Sequence, residues 1–139
     1  MKKKILVIDD ESLMVDMLKR ALDSSDVEVA GVTDPEEALR YASQNDIDLV
    51  ITDIMMPKIL GTKLFFELKK MDPFVQVIII TGYPTLQNIV EMLESGASDF
   101  ILKPFDIINL RSIVNETFSR INRWRALRNQ WLAHKKNIK

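Results

Sequence analysis

Three carboxylates, one hydroxyl and one ammonium group stand just after short apolar runs in this chain. They are Asp9, Asp10, Asp53, Thr81 and Lys103, and the runs cover residues 5–8, 49–52, 77–80 and 100–102. If the runs are neighbouring parallel strands, these side chains meet at one end of a sheet, where open α/β sheets bind ligands. Three carboxylates brought together repel one another unless a cation joins them. The chemistry this implies is a hard divalent metal, with Lys103 left to meet an anion such as a phosphoryl group.

Asp53 is the candidate nucleophile. A carboxylate is ionised at neutral pH and needs no base to attack phosphorus. It does need the charge of the incoming oxygens neutralised. Mg²⁺ can do this, since it takes few carboxylates together with waters and phosphate oxygens. Asp10 and Asp53 would ligate it directly, Asp9 directly or through water, and the Met55 backbone carbonyl would complete the shell. Lys103 and the Thr81 hydroxyl would each hold a phosphoryl oxygen. Each residue alone has a plainer reading. Asp10 could cap a helix, Thr81 could be a turn residue and Lys103 a solvated charge. Their coincidence at four strand ends favours a common site.

The elements that must position them follow from the pattern. Residues 4–8 read as a buried strand and 27–32 as an alternating edge strand. Residues 48–52, 75–80 and 99–102 supply three more strands, with 75–80, the most apolar, at the centre. Helices are expected from Ser12, as cap, to about residue 24, and after Asp34-Pro35-Glu36-Glu37 to about 45. Others span 62–71, the stretch after Pro84 up to 94, and 106 to about 133. Gly96 stops the fourth helix. Residues 53–61 form a loop in which Ile59 and Leu60 are apolar and exposed. Strict β–α alternation means a parallel sheet with right-handed crossovers.

Composition narrows the function classes. The chain of 139 residues contains no cysteine and a single histidine, His134, so thiolate metal sites and histidine-based catalysis are not expected. No apolar run nears the ~20 residues of a membrane span, and the run after Lys2-Lys3-Lys4 is too short for a signal, so a cytoplasmic protein is expected. The net charge of −1 conceals an asymmetry. Residues 1–119 hold all 20 acidic residues against 12 basic ones, about −8, whereas residues 120–139 hold 7 basic residues and no acid.

Four motifs together resemble the receiver domain of two-component response regulators. They are Ile5-Leu6-Val7-Ile8-Asp9-Asp10-Glu11, Leu49-Val50-Ile51-Thr52-Asp53-Ile54-Met55-Met56-Pro57, Thr81-Gly82-Tyr83 and Leu102-Lys103-Pro104-Phe105. The resemblance covers residues 4 to about 120 and leans toward receivers of enhancer-binding transcription activators. It implies a flavodoxin-like (CheY-like), doubly wound five-stranded parallel sheet of order 2-1-3-4-5. It implies that Asp53 accepts a phosphoryl group from a histidine kinase or phosphotransfer protein, with Mg²⁺ held by Asp9, Asp10 and Asp53. It also implies a cis bond at Lys103-Pro104 and a switch joining Thr81 to Phe100, with the fourth helix, fifth strand and fifth helix as output face. Such a chain is a signalling domain, catalysing only its own phosphorylation and dephosphorylation. Lys58-Ile59-Leu60-Gly61 departs from the family's usual loop. Met55 and Tyr83, two residues past the acceptor and the threonine, are poorly suited to orient a water, which implies a long-lived acyl phosphate.

Residues 1–120 thus read as the receiver and 121–139 as a basic helical extension: a linker, coiled-coil or dimerisation segment. Its apolar stripe is Leu110, Val114, Ile121, Trp124 and Trp131, and the body can cover only the first half. A homodimer through this helix or the output face, or the root of a missing effector domain, is expected. Direct nucleic-acid or membrane binding is not. A phosphohydrolase of the haloacid dehalogenase type would need a third Asp where Glu11 stands. A pseudo-receiver would lack one of the carboxylates. A flavodoxin would not place Asp9-Asp10-Glu11 beside a cofactor phosphate.

Overall fold

A computed structural model describes residues 2–56 and 61–137. Five β–α units follow one another: β1 (Lys3–Ile8), α1 (Ser12–Leu22), β2 (Val27–Val32), α2 (Pro35–Gln44), β3 (Leu49–Thr52), α3 (Gly61–Met71), β4 (Gln76–Thr81), α4 (Leu86–Glu94), β5 (Asp99–Leu102) and α5 (Ile107–Asn137). All strand pairs are parallel, and the sheet order is β2-β1-β3-β4-β5.

The three inner strands are buried on both faces, which is why their sequences are apolar without alternation. Their side chains feed two cores, one on each side of the sheet. Ile5, Val7, Ile51, Ile78 and Ile80 pack against α1 and the first half of α5. Leu6, Ile8, Val50, Val77 and Ile79 pack against Leu64, Phe65 and Leu68 of α3 and Met92 of α4. Each such side chain contributes about 1.5–3 kcal/mol by leaving water. On the first side α1 lies so close to β2 that a Cβ on Gly31 would fall 2.3 Å from Val15 Cγ1. Only glycine admits that approach.

Helix ends follow local chemistry with one exception. The Asp34 side chain accepts from the Glu36 backbone N–H at the start of α2, and Thr85 accepts from Asn88 at the start of α4. Gly96 closes α4 with φ of +104°. The exception is α1. Ser12 is its first helical residue rather than its cap; Glu11 takes the cap position and makes no side-chain cap bond. The carboxylate that does reach this turn is Asp9, whose Oδ1 accepts from the Glu11 N–H at 2.9 Å. Two further differences are small. Thr81 ends β4 instead of opening a loop, and α5 runs to Asn137, since no glycine or proline interrupts it. Ile59 and Leu60 lie outside the described residues.

α5 is one helix with two environments. Leu110, Val114, Thr117, Phe118 and Ile121 are buried against the sheet, while residues 122–137 are exposed. Two bonds hold the crossover point to the amino end of the sheet. Lys3 Nζ donates to Asn122 Oδ1 at 2.6 Å, and Arg125 is paired with Asp48.

Candidate functional site

The site is built by extending the strand ladders one residue past their ends. The Asp53 N–H donates to the Ile8 carbonyl at 3.1 Å, which sets Asp53 beside Asp9. The Lys103 N–H donates to the Thr81 carbonyl at 2.8 Å, which sets Lys103 beside Thr81. Backbone pairing therefore brings all five sequence-selected side chains to the carboxyl end of the sheet. Carboxylate oxygens of Asp9, Asp10 and Asp53 lie within 4.8 Å of one another.

Asp9 and Asp53 are buried, and Asp10 is exposed. Lys103 Nζ bridges the buried pair, 2.9 Å from Asp9 Oδ2 and 2.8 Å from Asp53 Oδ2. Burial pushes the Asp9 carboxyl above the usual range, against the Glu11 N–H and Lys103, which favour its ionised form. Burial also opposes the charged Lys103, but its hydrogen bonds to Asp53 and Asp9 win, and its ammonium is held above the ordinary value. One ammonium thus faces three carboxylates. This excess of hard oxygen donors fits a small divalent cation such as Mg²⁺.

The remaining candidates surround this centre. The Thr81 side chain is fully buried, and its Oγ1 accepts from the Tyr83 N–H at 3.2 Å. Phe100 is half-buried against the core on the α3 and α4 side. The Met55 N–H donates to Asp53 Oδ1 at 2.9 Å, which orients the carboxylate, and the Met55 side chain is half exposed. The Lys103-Pro104 bond is cis. The sequence reading missed Glu11, whose Oε1 lies 4.0 Å from Lys103 Nζ. Its place in the Asp9-Asp10-Glu11 run was the available signal. It also missed Thr52, whose buried hydroxyl donates to the Asp53 carbonyl at 3.0 Å.

The family model of the response regulator receiver domain matches residues 5–115. The chain belongs to that family. It is 36% identical over 117 residues to the transcriptional regulatory protein PrrA of Mycobacterium tuberculosis, covering 84% of this chain and 50% of the relative. It is 35% identical to the chemotaxis protein CheY of Thermotoga maritima, covering 76% of this chain and 88% of the relative. A receiver domain from Clostridium thermocellum superposes with a TM-score of 0.80 at 38% identity, covering 90% of this chain and 98% of the other. NtrX from Brucella abortus superposes at 0.84 and 29% identity, covering 91% of this chain and 29% of the other. The chain thus spans about half the length of curated relatives such as PrrA. As a receiver of a response regulator it is a component of two-component signalling, a class of signalling rather than metabolic proteins. No helix among the described residues is long and apolar enough to cross a membrane.

Proposed function

We propose that Asp53 is the phosphoacceptor of this receiver. The observation that carries the reading is the excess of carboxylates at one strand edge, two of them buried and bridged by a single lysine. The Asp53 carboxylate attacks the phosphorus of a phosphohistidine on a histidine kinase or phosphotransfer protein. The P–N bond breaks, the imidazole leaves, and an acyl phosphate forms. Asp9, Asp10, Asp53 and the Met55 carbonyl would hold Mg²⁺, whose charge offsets that of the phosphoryl oxygens. Lys103 then exchanges a carboxylate for a phosphoryl oxygen, and the Thr81 hydroxyl takes another. Turning that hydroxyl toward the phosphate frees space that the Phe100 ring fills. This shifts a two-state equilibrium at the face of α4, β5 and α5.

In this reading residues 1–120 are the receiver body and 121–139 a basic extension that joins copies or leads to an effector segment. The greater length of relatives such as PrrA supports the latter role. A cytoplasmic setting suits a kinase-fed switch. The only catalysis is that of the domain's own phosphorylation and dephosphorylation.

Incubation with acetyl phosphate and Mg²⁺ followed by intact mass tests the reading. One added phosphoryl group is expected, and none for Asp53→Asn. An unmodified wild-type chain would leave an interaction module only. Met55 and Tyr83, both with exposed side chains, place no acid or amide to orient a hydrolytic water. The adduct is therefore expected to persist well beyond seconds at room temperature, and decay within seconds would remove that part of the reading.

A further inference from the structure

The second half of α5 carries a narrow apolar seam that no other element among the described residues buries, and the Lys135 ammonium lies over the Trp131 ring at 5.1 Å from its centroid. Trp124, Leu127 and Trp131 follow at spacings of three and four and are 46%, 60% and 58% exposed. So narrow a stripe suits one partner helix better than a lipid surface, which takes a broader apolar face. Its flanks are Arg123, Arg128 and Lys135, and no acid occurs after Glu116. Laid seam to seam, two copies would set Arg123 against Arg128 in a parallel pair, or Arg128 against Arg128 or Lys135 in an antiparallel one. Like charges oppose that pairing, so the seam calls for an apolar row with acids beside it.

α4 supplies one. Leu86, Val90 and Leu93 form an outward row at spacings of four and three, 77%, 43% and 45% exposed. The helix packs on the body through buried Met92 and half-buried Ile89, bears Glu91 and Glu94 and has no Lys or Arg. On the open face of this helix Glu91 and Glu94 lie beside Leu86 and Val90. Among the described residues, neither acid and neither Arg123 nor Arg128 forms an ion pair. The lengths also agree: at 1.5 Å per residue, α4 is roughly 13 Å long, and Trp124 to Trp131 roughly 10 Å. A chain cannot seat its own seam there, because α4 packs on the α3 side of the sheet and α5 on the α1 side.

We infer that the Trp124–Leu127–Trp131 seam of one copy docks along α4 of a second copy, with Arg128 and Lys135 on the side of Glu91 and Glu94. Two copies about a twofold axis make this contact twice and close a dimer. The inference sharpens the self-association proposed above by naming both surfaces. It does not depend on Asp53 accepting a phosphoryl group.

Both tryptophans of the chain lie in the seam, so native tryptophan emission reports on the seam alone. Sedimentation and emission of the unphosphorylated full chain at low salt should show concentration-dependent association with a blue shift. Glu91→Arg with Glu94→Arg should weaken association at least tenfold, and so should Arg128→Glu with Lys135→Glu. An equimolar mixture of these two variants should associate again, since each then offers the other an opposite charge. Thermal melts confirm that these exposed changes leave the fold intact. Wild-type chain that stays monomeric throughout would overturn the inference and leave the seam to another protein. Association untouched by the Glu91 and Glu94 reversals would overturn it in favour of seam-to-seam pairing.

Discussion

The two ends of the sheet both carry acid–base pairs, yet they differ in balance and burial. At the carboxyl end Lys103 serves Asp9 and Asp53 with their side chains 3% and 7% exposed, and Asp10 adds a third negative charge nearby. At the amino end Arg125 meets Asp48, with the arginine 45% and the aspartate 13% exposed. The second arrangement is satisfied as it stands. The first is short of positive charge in a place where water cannot screen the deficit. Charge imbalance under burial distinguishes the carboxyl end, and a matched pair with a half-exposed arginine distinguishes the end that fixes the direction of a helix.

The largest effect that sharpens this contrast should come from Lys103→Met without added metal. Removing the only ammonium that pairs with them among the described residues leaves two buried carboxylates unpaired, which costs on the order of 3–5 kcal/mol. In a domain of this size the midpoint of thermal unfolding should fall by roughly 10 °C. Mg²⁺ should recover part of the loss, because it supplies the missing positive charge to the same oxygens. An unchanged midpoint in metal-free buffer would mean that Lys103 is not what holds the pair, and the two ends would then be alike.

A smaller effect follows from Asp9. Burial raises its carboxyl above the ordinary value, so the folded chain holds that proton more readily than the unfolded one. Without metal, the Asp9 contribution to stability therefore falls as pH rises from the ordinary aspartate range through the raised folded value. Mg²⁺ competes with the same proton. Its stabilisation should be full above the raised value and shrink as pH falls through it. At tenfold excess over its dissociation constant the ion adds about 1.4 kcal/mol, a few degrees in the melt at pH 7.5. The increment should shrink as the pH is lowered toward the ordinary aspartate range. An increment that stays constant down to the ordinary aspartate range would place the ion away from Asp9.

The carboxyl end was legible in the sequence because strand polarity did the work. A buried parallel strand must be apolar throughout, so Ile5–Ile8 and Val77–Ile80 announce themselves, and whatever follows them must lie at the same edge. That logic found Asp9, Asp53, Thr81 and Lys103 with no knowledge of side-chain direction. It did not find that Asp9 turns to accept from Glu11, displacing Ser12 from the expected cap role, because competition between a cap and a charged partner is settled in three dimensions. The amino end was illegible for a related reason. Asp48 and Arg125 are 77 residues apart and neither belongs to a periodic pattern. Only the packing of α5 on β1 and β3 brings them together. The long stripe of α5 was readable as a period. Where the body stops covering it was foreseen only as about halfway, and the structure places that point at Ile121.

The smallest effect belongs to the amino end. Arg125→Gln removes the pair with Asp48, whose Oδ2 still accepts from the Lys4 N–H at 2.8 Å and so is not stranded. With the arginine half in solvent, the pair contributes about 1 kcal/mol, a shift of no more than a few degrees. The informative readout is local. Amide exchange over residues 122–130 should quicken in Arg125→Gln, since the helix leaves the body there and loses one of its two ties, while exchange in α4 and at Asp53 stays as before. A melt lowered as far as that of Lys103→Met would put the amino end on the same footing as the carboxyl end. The distinction between a pair that steers a helix and a cluster short of positive charge would then fail.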